Sequence, residues 1–418
     1  MDGAAAVRVT ATADRRVRQR WLVATTEYAG LTAYTGGIGR HYAALLPALV
    51  RHGVDVDLVV FSDAAPQAEP ELHGVRLIAF ERTGRMSRIR AQVRRARIVR
   101  AASRRVEYDR VFLPEWGALG AALPRGAPLL TNLATSMRLA NEISGLRLRD
   151  LPPASRLPVA LQSRLETRQI RRSAGLISIS TAMLLRTQEM LGTVPPAVVV
   201  RNCIDVDQVH SAAMTASLPS GWPEGGDPIV LFLGRSERRK GVIEAVAAFG
   251  ELHARAPRVR LVLAGAGGDR RFEPTRSSLL ATLPATAQGR VTWLGHVPGN
   301  EVYRAIRAAD VALCPSRWEG FGNVALEVKA IGTPLIVTSG SGFDDFCTDG
   351  VDCLMAPPAD VVHLAAALQR LIESPHLGRS LSERALAGVG DFAPDPVAGA
   401  LIAAADRLLG PPAGRSVG

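Results

Sequence analysis

Two glutamates, Glu319 and Glu327, stand eight positions apart around a glycine-bearing turn in the stretch Ser316-Arg317-Trp318-Glu319-Gly320-Phe321-Gly322-Asn323-Val324-Ala325-Leu326-Glu327. The apolar run before it, residues 309–314, reads as a buried parallel strand closed by Pro315. Gly320 and Gly322 permit unusual backbone angles and close approach of a ligand, and Asn323 is expected to N-cap a helix over residues 324–331. The free amides and dipole of that helix's first turn favour an anion such as phosphate. Glu327 shares a helix face with Asn323 and Glu319 precedes the helix, so two carboxylates bracket the anion site. Carboxylates repel phosphate but accept hydrogen bonds from hydroxyls, which implies a ligand with a diphosphate in the middle and a polyol at each end, a nucleotide-sugar. The competing reading is a capped helix with two solvated glutamates.

A second constellation lies in Gly234-Arg235-Ser236-Glu237-Arg238-Arg239-Lys240-Gly241, after a strand expected over residues 228–233. Arg235 and Lys240, five positions apart across a turn, are placed to reach one pyrophosphate. The chain has 48 arginines and only two lysines, Lys240 and Lys329, so a lysine kept here answers a chemical demand. A third glycine loop, Tyr34-Thr35-Gly36-Gly37-Ile38-Gly39-Arg40-His41, follows a strand over residues 21–25 and opens a helix. It is not the GxGxxG dinucleotide fingerprint, although its glycines still allow a ligand to lie against the backbone.

The chain has 418 residues, 47% of them hydrophobic and 21% charged, which fits a globular protein of two or three domains. No apolar run approaches the length of a membrane span, and Asp2 with no apolar region after it argues against a secretory signal. Four cysteines without CxxC spacing argue against a disulfide framework or zinc site, so a cytoplasmic location is expected. Residues 1–200 hold 29 arginines and no lysine against 16 acidic residues, a balance of +13, while the remainder balances to −2. Ten of those arginines lie between Arg82 and Arg105, interleaved with Met86, Ile89, Val93, Ile98 and Val99, as a basic amphipathic helix. Weak membrane association through it is one reading and a solvated face the other. Nucleic acid is not expected, because no recognised motif accompanies the charge.

Residues 1–19 read as an arm. Strands over residues 109–113 and 128–133 end near Glu115 and Asn132, which are expected to point into a cleft because ligands bind beyond the carboxyl ends of parallel strands. The organisation expected is α/β: residues 1–200 as one Rossmann-like domain, 201–390 as a second, and 391–418 as a helix crossing back with a tail. Asp344-Asp345 sits in a glycine-rich loop, and no metal is assigned to it.

The stretch Pro315-Ser316 to Gly322, with Glu319 and Glu327 as an E-x7-E pair and Gly332-Thr333-Pro334-Leu335-Ile336-Val337 after it, resembles the retaining glycosyltransferase family 4, which has the GT-B fold. The resemblance is tight from Gly234 to Gly350 and looser before Val198. It implies that Glu319 binds the donor sugar, that the backbone of Phe321, Gly322 and Asn323 meets sugar and phosphate, and that Glu327 holds the ribose. It further implies that Arg235 and Lys240, beside Gly234, stabilise the diphosphate leaving group. Gly36 and Gly37 would face the donor across the cleft, and His296 and Val297 would line the base pocket. Histidines common in the family near Glu115 and Asn132 are missing, which points to a changed acceptor or to a binding protein without transfer. The expected activity is transfer from a nucleoside diphosphate sugar to a small soluble acceptor, without metal or cofactor. A lipid or polymer acceptor is the alternative.

Overall fold

The computed structural model describes residues 18–32, 35–66, 71–269 and 272–412, so the expected arm falls almost wholly outside the described residues, as does Tyr34. Seven strands form a first sheet: β1 (Arg20–Thr25), β2 (Asp55–Ser62), β3 (Arg76–Arg82), β4 (Arg110–Pro114), β5 (Leu129–Leu133), β6 (Gly175–Ser178) and β7 (Ala197–Val199). Their order is β3-β2-β1-β4-β5-β6-β7, every pair parallel. Six more form a second: β8 (Ile229–Leu233), β9 (Arg260–Ala264), β10 (Val291–Gly295), β11 (Val311–Cys314), β12 (Leu335–Thr338) and β13 (Leu354–Ala356), in the order β10-β9-β8-β11-β12-β13. These strands are near-continuous apolar runs because helices cover both faces of an all-parallel sheet; β4, β5, β8 and β11 are buried at every position. Each sheet reverses its winding once, at β1/β4 and at β8/β11, and the loops leaving those strands meet in the cleft.

The last helix, Pro394–Leu409, returns to the first sheet. Val397, Ala398, Leu401, Ala404 and Ala405 enter the same core as Trp21, Tyr42 and Leu46. Burying Val397 and Leu401 alone is worth roughly 1.5–3 kcal/mol each. Asp406 on this helix accepts from Arg110 Nη2 at 2.9 Å and from Gln19 Nε2 at 3.1 Å.

The arginine-rich segment forms a helix over Arg88–Ala102 that buries Ala91, Ala96, Val99 and Ala102 against the first sheet. Arg94 pairs with Glu81 and Arg95 donates to Thr83, while Met86 and Val93 remain more than one third exposed. Among the described residues no helix is long and apolar enough to cross a membrane.

Candidate active site in the cleft

Lys240 closes a 3-10 turn over Arg238–Lys240, and Gly241 follows in the left-handed region with φ 73°. A side chain on Gly241 would collide with the Pro315 carbonyl, so the two loops approach through a glycine. Arg317 N donates to Arg239 O at 2.9 Å and ties the loops together. This contact brings the Lys240 ammonium onto Glu319 Oε1, which also accepts from Ser316 Oγ at 2.7 Å. Burial alone would raise the Glu319 pKa, but Lys240, then Arg239, hold it below the ordinary value, so the carboxylate is charged. Arg235, about half exposed, is held by Glu237 at 3.0 Å, and Glu237 also takes Arg239 at 2.8 Å. The two cations expected at one pyrophosphate thus flank the same loop, Lys240 locked on Glu319 and Arg235 freer. Gly234 has φ 148° and lines the same cavity.

The helix after Glu319 spans Asn323–Ile331, and its N-cap is Gly322 at φ 100°, not Asn323. The expectation of an asparagine cap is therefore corrected. Gly322 lies against the Phe343 ring, where any side chain would collide, and its backbone conformation starts the helix one residue early. Asn323 is released to bridge the cleft: its Nδ2 donates to Gly37 O at 3.0 Å and its Oδ1 accepts from Asn202 Nδ2 at 2.9 Å. Glu327, one turn on, is buried, and its Oε1 accepts from Arg40 Nη1 at 2.7 Å. Phe321 is buried, its ring 4.8 Å from that of Phe346, which fixes the backbone on either side.

From the first sheet, Gly36 N donates to Glu27 Oε2 at 2.8 Å. Glu27 stands beyond the end of β1 in the field of Arg235, its pKa raised by burial. Ala134 and Thr135, just past β5, line the cavity opposite Lys240 and Glu319. Glu115 and Asn132 do not face it, which corrects the expectation that they point into the cleft. Glu115 is 1% exposed and both its oxygens accept from Ala134 N, at 2.9 and 2.8 Å. Asn132 donates to Ile177 O at 3.2 Å and accepts from Tyr42 OH at 3.2 Å. Each lies at a strand end where the neighbouring strand supplies its partners, so both shape the cleft wall from behind. Burial pushes Glu115 up to about 8 and its neighbour Glu166 up to about 7.

His296, expected with Val297 at the base pocket, is exposed, Val297 packs on the core, and neither lines the two cavities lined by Glu319 and Glu327. Tyr303, on the Glu301–Ala308 helix, does reach there. Asp345 accepts from Thr181 N at 3.1 Å and Asp344 from Gly340 N at 2.8 Å, so both act as loop-fixing groups. Among the described residues one cluster has metal-ligand composition, Cys347, Asp352 and Cys353, with ligand atoms within 4.8 Å of one another. Asp352 already holds Lys329 Nζ at 2.9 Å, and that ammonium supplies the charge a cation would bring. Sequence reasoning missed Arg40, Glu27, Asn202 and Tyr303; the only hint was that Arg40 follows the glycine loop by one turn.

Among the described residues, two adjoining cavities lie along the cleft. One, of about 250 Å³, is lined by Gly37, Thr135, Lys240, Glu319, Gly322 and Asn323. The other, of about 640 Å³, adjoins it beyond Asn323 and is lined by Arg40, Tyr303 and Glu327 among others. One cation, Lys240, a helix N-terminus and a charged carboxylate thus line the small cavity, Arg235 is not among its lining residues, and a buried carboxylate faces the large one.

Comparison with known proteins bears on this arrangement. Residues 35–208 match the family described as Glycosyltransferase Family 4, and residues 218–387 match Glycosyl transferases group 1. The chain is 29% identical over 371 residues to a glycogen synthase of Mycobacterium tuberculosis, covering 81% of this chain and 83% of that one. It is 29% identical over 350 residues to a D-inositol 3-phosphate glycosyltransferase of Acidothermus cellulolyticus, covering 80% and 72% respectively. Among solved structures, sucrose-phosphate synthase from Thermosynechococcus elongatus superposes with a TM-score of 0.71 at 21% identity, over 92% of this chain and 97% of that one.

Proposed function

Because this chain belongs to the glycosyltransferases of GT-B architecture, with a family 4 first half and a group 1 second half, we propose that it moves a sugar from a nucleoside diphosphate sugar to a small polyhydroxylated acceptor. The observation that carries the reading is the Lys240–Glu319 pair beside the Asn323 helix start, all lining one cavity. Both partners of Glu319 sit on Oε1, which leaves Oε2 for a sugar hydroxyl. When the bond between the anomeric carbon and the diphosphate oxygen breaks, negative charge builds on the diphosphate. Lys240 and the amides after Gly322 line the cavity where that charge would form, and Arg235, on the same loop as Lys240, is free enough to swing to it. The Lys240 ammonium beside the cavity supplies positive charge of the kind a divalent ion would bring, which supports a metal-independent reaction. Retention of anomeric configuration follows from the resemblance of the Glu319/Glu327 pair to that of the retaining family.

An acceptor of monosaccharide or cyclitol size is in keeping with the inositol phosphate named for one relative, whereas the glycogen synthase relative points to a polymer. A cytoplasmic enzyme using soluble substrates is the reading in keeping with the composition. The test is transfer from a panel of UDP-, GDP- and ADP-sugars to soluble polyols, with the product's anomeric configuration read by NMR. Donor turnover with a retained anomer on a soluble polyol supports the proposal. Nucleotide binding without turnover, or transfer only to polysaccharide ends, overturns it.

A further inference from the structure

The second glutamate of the pair does not offer a ribose two equivalent oxygens, because one already carries a charge-assisted bond and the other carries none. Glu327 is 4% exposed, its Oε1 is taken by Arg40 Nη1 at 2.7 Å, and its Oε2 is buried with no hydrogen-bond partner among the described residues. A buried carboxylate oxygen left unpaired is costly, which marks a place where a ligand donor belongs. Arg40 comes from the other side of the cleft, on the Gly37–Arg51 helix, and its guanidinium lies 5.9 Å from the centre of the Tyr303 ring. Two groups of the second domain therefore hold one cation of the first.

We propose that Arg40 is a specificity-determining residue of the nucleotide subsite: by occupying Oε1 of Glu327 it leaves Oε2 as the acceptor for a single ribose hydroxyl. This rests on the nucleotide-sugar reading above and adds to it a residue from the opposite domain. A vicinal diol otherwise grips a carboxylate through both oxygens, so that loss of either hydroxyl is felt equally. With Oε1 committed to a cation, the two hydroxyls become unequal.

The experiment is calorimetry of the full chain with whichever of UDP, GDP and ADP binds most tightly, and with its 2′-deoxy and 3′-deoxy forms. In the unmodified protein one deoxy form should bind at least tenfold more weakly than the ribonucleotide and the other within about threefold. Arg40→Met should abolish that asymmetry, with both deoxy forms penalised alike. Arg40→Lys, which keeps a cation of similar reach, should retain it, and it also serves as the second variant should the methionine protein fold poorly. Equal penalties in the unmodified protein, or an asymmetry untouched by Arg40→Met, overturn the role of Arg40 while leaving the nucleotide site standing. Failure of every nucleoside diphosphate to bind overturns the nucleotide-sugar reading and this proposal with it.

Discussion

Asn323 Nδ2 donates to the carbonyl of Gly37 across 3.0 Å, joining the first residue of the helix after Glu319 to the glycine loop of the opposite domain. A side chain at position 37 would push into that amide, so the contact depends on the glycine. Cleft closure and the position of the helix start are thus one geometric fact.

Lys240→Ala should lower kcat by two orders of magnitude or more, because a positioned donor on developing negative charge is worth about 2.7–4 kcal/mol. The substitution also strands the Glu319 carboxylate without its cation. Turnover at saturating donor is the measurement, and an unchanged rate removes Lys240 from the chemistry. Arg235→Lys should slow transfer less, since Arg235 is about half exposed and already shared with Glu237.

Glu327→Gln should mainly weaken binding of bare nucleoside diphosphate, and Glu319→Gln mainly slow transfer. A single hydrogen bond to a charged group is worth about 1.5–3 kcal/mol, so roughly tenfold or more in affinity is expected at Glu327. Calorimetry beside steady-state kinetics separates the two. The opposite pattern would exchange their roles.

Asn132→Ala should reduce stability by about 1–3 kcal/mol with donor KM unaltered, because it leaves Tyr42 OH and Ile177 O without their partner in the core. Thermal denaturation measures the first and steady-state kinetics the second. A large change in acceptor KM at constant stability would return Asn132 to the acceptor site.

The Glu115 contribution to stability should fall as pH rises from about 4.5 to about 8, because burial keeps Glu115 protonated up to about 8 in the folded chain against 4.5 when exposed. The folded state then holds the extra proton, and its contribution is complete below the lower value and gone above the higher. His41 acts on the acid side: burial depresses it to about 3 from 6.5, so its contribution is present above 6.5 and lost as pH falls towards 3. Melting temperature against pH should therefore peak on the weakly acidic side, and Glu115→Gln should flatten the alkaline fall by several degrees. An identical profile for Glu115→Gln would contradict the assignment.

Gly241→Ala should cost more than a typical surface substitution, both from its left-handed backbone and from collision with the Pro315 carbonyl. Loss of activity should exceed loss of stability, because the shifted loop carries Lys240. Activity per folded protein is the quantity to follow.

The strands over residues 21–25, 109–113, 128–133, 228–233 and 309–314 were legible because each is a short, largely apolar run, and the Glu319 and Lys240 loops because their glycines and charges sit at strand ends, whereas the three-residue β13 was too short to be read. Glu115 and Asn132 were misread for a physical reason: a strand end locates a residue at the cleft's edge but not whether its side chain turns to the ligand or to the next strand. Arg40 and Glu327 are 287 positions apart, and among 48 arginines nothing local distinguishes the one that crosses the cleft. Asn323 was assigned a cap because asparagine suits that position, yet the left-handed Gly322 took it and freed the amide for a partner remote in sequence.

The return of the Pro394–Leu409 helix to the first sheet sets an order on biosynthesis. A chain emerging from the ribosome completes β1 to β7, then all of the second sheet, before the residues that seal the first core have been made. Until then the apolar side of the Gly37–Arg51 helix, including Leu45 and Leu49, lacks part of its cover. The nascent first domain therefore waits, incomplete and adhesive, through nearly two hundred residues of synthesis, roughly ten to forty seconds at ordinary elongation rates. It is in that interval, before the Pro394–Leu409 helix is made, that the apolar side of the Gly37–Arg51 helix is most open to wrong partners.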